Sequence, residues 1–188
     1  MSELLVDDTS VVWASSTGLH RWRKADETIE NLDTSELILG LGVHDGVYYY
    51  SDTYGNRVRR GPPGTDLAAA RFPGPLVVVD DGVYFYEAAD AFVEYGGSLR
   101  LVPRDGGTVV TTADDLSIVY DLALDDTELF FATAYNREFR IKRVSRFGGT
   151  VATLACGEFR EQSVFVATTP QHAYYSDGTG LFRIGKTL

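Results

Sequence analysis

Cysteine, methionine, histidine and basic side chains are all scarce in this chain of 188 residues. Cys156 is the sole cysteine, so no intrachain disulfide can form. A lone cysteine in an apolar context reads as a small buried hydrophobe; a catalytic thiol needs a nearby histidine and an exposed, electropositive setting. No stretch approaches the roughly 18 apolar residues of a membrane span. The opening Met1-Ser2-Glu3-Leu4 lacks the basic and apolar regions of a signal peptide. A cytoplasmic protein is expected if Met1 is the natural start, and an extracytoplasmic one is open if the chain is a segment of something longer. The 17 Lys and Arg stand against 27 Asp and Glu, a formal charge of −10. Duplex binding needs a dense basic stripe to displace counterions, so nucleic acid is not an expected partner. An anionic membrane surface is disfavoured for the same reason.

Catalytic signatures are missing too. No Gly-x-Ser-x-Gly elbow, phosphate loop or Cys-x-x-Cys pair occurs. Gly40-x-Gly42 lies inside an apolar run without a third glycine or a following helix, so no dinucleotide cofactor is implied. His20, His44 and His172 are the three histidines; His44 and His172 occupy comparable hairpin turns in different repeats and read as surface residues, not zinc ligands or bases. A glycosidase needs two carboxylates roughly 5–9 Å apart. The innermost strands offer one candidate, Asp121, so a catalytic pair is not assigned. The doublets Asp7-Asp8, Asp80-Asp81 and Asp125-Asp126 fall once per repeat on separate turns. A calcium ion needs about six to eight converging oxygens, so these read as solvated turn residues and no metal is expected.

What the chain does have is aromatics, glycine and a repeat. Eleven Tyr, ten Phe and two Trp with 19 Gly favour strands and tight turns. Five segments share one plan: an apolar strand, a turn often carrying Asp, an aromatic strand, a polar loop, a strand with Arg, then a turn. Trp13, Tyr50, Phe85, Phe131 and Tyr175 mark the aromatic strands, in steps of 37, 35, 46 and 44 residues. A four-stranded propeller blade occupies about 40–45 residues. The apolar runs Leu4–Val6, Leu37–Val43, Leu76–Val79, Ile118–Leu124 and Val164–Ala167 suit strands buried on both faces. The only soft helical candidate is Asp66–Arg71, read as a turn or short helical loop. The expected fold is an all-β propeller of about five four-stranded antiparallel blades, alone or as part of a larger ring. The expected repeats are 1–35, 36–74, 75–114, 115–158 and 159–188.

Tyr49-Tyr50-Ser51-Asp52 and Tyr174-Tyr175-Ser176-Asp177 resemble the Tyr-Trp-Thr-Asp signature of the YWTD propeller repeats. The continuations Asn56-Arg57-Val58-Arg59-Arg60 and Gly180-Leu181-Phe182-Arg183-Ile184 match the strand that follows in that family. Arg104-Asp105-Gly106-Gly107 and Arg146-Phe147-Gly148-Gly149 are similar to related bacterial repeats that close on a basic residue before Gly-Gly. The resemblance implies the fold and no catalytic residues, because the signature is a packing motif.

In such an arrangement the loops from second to third strand, and from fourth to first, share one rim. The rim candidates for ligand binding are Asp52, Tyr54, Asn56, Arg57, Asp90, Phe92, Tyr95, Tyr135, Asn136, Arg137 and Asp177. Aromatic rings beside Asn, Asp and Arg suit stacking and hydrogen bonding to a protein or glycan. The leading expectation is a non-enzymatic binding module without a cofactor; a compact propeller hydrolase or lyase is the alternative. The fifth repeat ends with room for only a stub of a fourth strand. An incomplete ring would leave sheet faces open to further blades or copies of the chain.

Overall fold

The computed structural model describes residues 4–90, 95–158 and 164–186. Among them every regular element is a strand. The first sheet holds β1 (Leu4–Val6), β2 (Ser10–Ser15), β3 (Gly18–Arg23) and β4 (Ile29–Asp33). The second holds β5 (Ile38–His44), β6 (Val47–Asp52), β7 (Arg57–Arg60) and β8 (Thr65–Ala69). The third holds β9 (Pro73–Val79), β10 (Gly82–Glu87), β11 (Gly97–Val102) and β12 (Val110–Leu116). The fourth holds β13 (Val119–Leu124), β14 (Glu128–Tyr135), β15 (Glu138–Ser145) and β16 (Ala152–Glu158). The last has three strands, β17 (Phe165–Thr168), β18 (His172–Ser176) and β19 (Leu181–Gly185). Each sheet is an antiparallel meander in chain order. Helical Asp66–Arg71 is corrected: Thr65–Ala69 pairs with β7, Val58 opposite Ala68, as an outer strand.

The sheets stack in sequence through their first strands, β5 on β9, β9 on β13 and β13 on β17. This is the radial order of a propeller, with aromatic second strands forming the cores between sheets. Tyr84, Leu129 and Phe131 join the third and fourth sheets, while Tyr49, Val83 and Phe85 join the second and third. Glycine sets the closest approach. A Cβ on Gly40 would stand 2.5 Å from the Gly74 carbonyl oxygen and 2.7 Å from the Leu76 nitrogen. Gly40 thus lets β5 and β9 pack backbone to backbone, and Gly42 leaves room for the Val78 side chain.

The turns carry the chemistry read from them. Asp45-Gly46 has φ of 48° and 72°, the left-handed pair of a tight hairpin. Asp7 Oδ1 accepts from the Thr9 and Ser10 amides, and Asp125 Oδ1 from Thr127 and Glu128. Hydrogen bonds from Thr9 and Ser10 bring the Asp7 carboxyl down to about 2. Asp80 pairs with His44 and Asp81 with Arg146.

Two burial expectations fail. Cys156 is exposed, because it lies on β16, the outermost strand of its sheet. Leu4 and Val6 are 61% and 62% exposed: β1 buries Leu5 against the second sheet and leaves its other face open. Among the described residues the last sheet does not pack on the first as the other neighbours pack.

Candidate functional site

Antiparallel order puts the second-to-third and fourth-to-first connections of every sheet at the same end, which defines the rim. The turn after β6 is self-contained. Asp52 is 3% exposed, accepts from the Gly55 amide at 2.9 Å, and pairs with Arg57 at 2.9 Å. Arg57 also meets Asp66 at 3.4 Å. Asn56, at φ 56°, accepts from the Phe72 amide and donates to the Tyr54 carbonyl. Three of the four candidates here therefore hold the turn itself, and only Tyr54 projects outward, 61% exposed. Asp177 likewise caps its own turn, accepting from the Thr179 amide at 2.9 Å and hydroxyl at 2.6 Å. Those bonds hold its carboxyl below the usual range. Asp90 is exposed, and Phe92 lies outside the described residues.

Tyr95, Tyr135, Asn136 and Arg137 come together. Together with Glu138, Arg140, Gly157 and Glu158 they line an open basin of about 540 Å³ beside the third and fourth sheets. The Tyr95 and Tyr135 rings stand 4.3 Å apart, tilted by 52°. Asn136 and Arg137 form the turn, both left-handed at φ 53° and 64°. That conformation is ordinary for Asn and strained for Arg, a cost of order 1 kcal/mol or more.

Below the basin a narrower cavity of about 80 Å³ runs between the sheets. Strand pairing explains its walls. Thr133 lies opposite Arg140, Tyr135 opposite Glu138 and Phe131 opposite Lys142, so all six share the face of β14 and β15 turned to the third sheet. Phe131 ends the apolar core, and the polar residues continue it toward the rim. Asp115 and Ser117 close the other side. Burial, then the neighbouring Arg140 charge, hold the Lys142 ammonium below the ordinary lysine range. Among the described residues no carboxylate pairs with it, whereas Arg140 is paired with Glu138 at 2.7 Å. The alternation Glu138-x-Arg140-x-Lys142 was the sequence signal for this wall; the rim reading stopped at the loop.

Asp121 has a structural task. Its carboxylate accepts from the Leu122 amide at 2.9 Å and from the Val166 amide at 2.8 Å, tying β13 to β17. Burial raises its carboxyl above the usual range, and those two amides partly offset the shift.

The architecture is that of a β-propeller, and solved structures agree. The chain is similar to one in the nidogen–laminin complex, at 16% identity over 95% of this chain and 72% of that one, TM-score 0.72. It is also similar to regucalcin, a calcium-binding protein of Agrobacterium tumefaciens, at 13% identity over 97% and 73%, TM-score 0.65. A third similarity is to the extracellular domain of a one-component system of B. thetaiotaomicron, at 13% identity over 96% and 27%, TM-score 0.70. No family profile matches the sequence, and no curated protein matches it.

Proposed function

We propose that the chain is a non-enzymatic binding module of YWTD-like blades whose rim engages a protein or glycan in the cleft between the third and fourth sheets. The observation that carries this reading is the Tyr95–Tyr135 pair at the mouth of a cleft walled by Lys142, which has no carboxylate partner among the described residues. Two phenol rings offer flat contact area with polar tips. A part-buried cation without a carboxylate partner favours a ligand that brings an anion, because the unpaired charge is costly to keep. The solved neighbour in complex with laminin supports the use of such a frame for binding a protein.

A glycan array and a pull-down from the native host identify the ligand class. Tyr135→Ala and Lys142→Met, each folded by circular dichroism, are then measured against the hit by calorimetry. Tyr135→Ala weakens binding by about tenfold or more if the ring is an anchor. Unchanged affinity in both variants refutes the site. A glycoside-cleaving activity abolished by Asp121→Ala refutes the non-enzymatic reading.

A further inference from the structure

A charged clasp recurs between successive sheets, on the face opposite the rim. Arg104, just after β11, reaches back to Asp45 in the first turn of the second sheet, 3.4 Å away. Arg146, just after β15, pairs with Asp81 in the first turn of the third sheet. Lys186, just after β19, pairs with Asp125 in the first turn of the fourth sheet at 2.5 Å. Each time a cation beyond the third strand holds an acid on the preceding sheet. The second sheet holds the first differently, through Arg59 and Asp33.

The equivalent cation of the first sheet is Lys24. Its amide donates to the Thr9 carbonyl, as the Arg146 amide donates to Thr127 and the Lys186 amide to Gln171. Among the described residues no other sheet packs beside it. Its ammonium instead turns onto the Asp7 carbonyl of its own sheet, and the residue is exposed. The last sheet could not supply the missing acid, because its first turn reads Thr169-Pro170-Gln171.

The sheet face beside Lys24 is largely apolar. Half-buried Val11, Trp13 and Trp22 lie opposite the buried Val12, Ala14 and Leu19, Leu4, Val6 and Ile29 are 61%, 62% and 68% exposed, and His20 and Asn31 are its polar members. Both tryptophans of the chain are therefore on this open face. The last sheet also keeps an open side, with Phe165 at 46% and Leu181 at 76% exposure.

We infer that the open face of the first sheet is a docking surface for one further blade-like β-meander, apolar on the buried side and carrying an acidic first turn that Lys24 clasps. A second copy of the chain stacked head to tail fits less well: the side it would present is the last sheet, which brings no acid to Lys24. The inference is independent of the rim site.

Both tryptophans report on the face, so occupancy is read by their emission and by acrylamide quenching. The first arm takes the chain alone across a concentration series, with sedimentation. The expected result is a monomer with readily quenched, red-shifted emission. Protected tryptophans in a monomer, or a dimer whose formation protects them, overturn the proposal, the latter in favour of a second copy. The second arm appends a copy of residues 73–116, which carries Asp80-Asp81, to the C-terminus through a Gly-Ser linker. Emission shifts to the blue and quenching falls. The same fusion with both grafted aspartates changed to asparagine, or with Lys24→Ala, populates the protected state about two- to fivefold less, the worth of one partly exposed ion pair. Quenching unchanged by the fusion, or protection indifferent to those charges, overturns the proposal.

Discussion

Asp33 is the acid whose removal should cost the fold most. It ends β4 and reaches across to the second sheet. One oxygen accepts from the Ser35 amide at 2.9 Å and hydroxyl at 2.6 Å. The other accepts from the Tyr50 hydroxyl at 2.8 Å, the Arg59 guanidinium at 2.8 Å and the Gly64 amide at 3.3 Å. The ion pair is buried, with side chains 8% and 15% exposed for Asp33 and Arg59. Asp33→Ala leaves the guanidinium only the more distant Asp66 carboxylate at 3.4 Å and takes the acceptor from the buried tyrosine hydroxyl. Loss of one partner from a buried pair costs about 3–5 kcal/mol, and the remaining acid places this one at the lower end. Adding Arg59→Met should recover part of that loss, because the second change removes the charge left short of a partner. Burial by itself works against the charged carboxylate, but the donors outweigh it and hold Asp33 below the usual range. A depressed folded pKa stabilises above the unfolded value of about 3.9 and is lost as pH falls through the folded one. Asp33→Asn should therefore flatten the acid limb of a stability–pH curve below about pH 4. Urea unfolding followed by far-ultraviolet circular dichroism measures all three variants. A cost below about 1 kcal/mol for Asp33→Ala, within the range of exposed pairs, would refute the claim that this is a buried lock.

Phe131, fully buried among Tyr84, Leu129 and Val144, should cost about 3–5 kcal/mol on truncation to alanine. Phe147, 84% exposed in the Gly-Gly turn, should cost within about 0.5 kcal/mol in the same urea assay. Asp121 behaves oppositely to Asp33: its raised folded pKa means the charged form is tolerated at a cost. That cost is relieved as pH falls through the folded value. Asp121→Asn removes the charge and keeps an oxygen for the Val166 amide, but turns its NH2 toward the Leu122 amide and loses that bond. The parent should therefore gain stability relative to the variant as pH falls through the folded value; equal pH dependence of the two proteins would count against it.

The sheets were legible because they repeat. Period-two alternation and Asp-Gly turns depend on neighbours a few residues apart, and β2 shows the outcome: Val12 and Ala14 are buried between half-exposed Val11, Trp13 and Ser15. What failed depended on where a strand sits in the stack. Leu4 and Val6 have the same apolar character as Val77 and Val79, yet no sheet covers them, and no local pattern distinguishes the two cases. Cys156 was misplaced for a related reason, since no further strand covers β16 on its outer side and its exposure there is not written in its own neighbours. The rim residues split on a subtler point. Asp52, Asn56 and Asp177 have the right chemistry for a ligand and spend it on their own turns. Lys142 was overlooked because its role comes from the β14–β15 register and the packing of the next sheet, both remote in sequence.

Stability should then fall from the middle of the stack to its ends. The six fully buried aromatic side chains, Tyr49, Tyr50, Tyr84, Phe85, Phe130 and Phe131, all belong to the second, third and fourth sheets. The last sheet buries Val166 and Ala173 on one side, has three strands, and is attached by the Lys186–Asp125 pair, the Asp121–Val166 bond, the Thr168 hydroxyl on the Leu124 carbonyl and Arg143 on the Lys186 carbonyl. Segments with few buried apolar contacts open below the global free energy. In native-state hydrogen exchange, amides of β18 and β19 should exchange well before those of β10 and β14, and Lys186→Ala should widen the gap. Equal protection across all five sheets would mean that the ends are covered in solution. If a further blade does occupy the open face, its arrival should raise protection in β2 and β3 while leaving β10 and β14 unchanged, because only the end sheets have uncovered surface to gain from it.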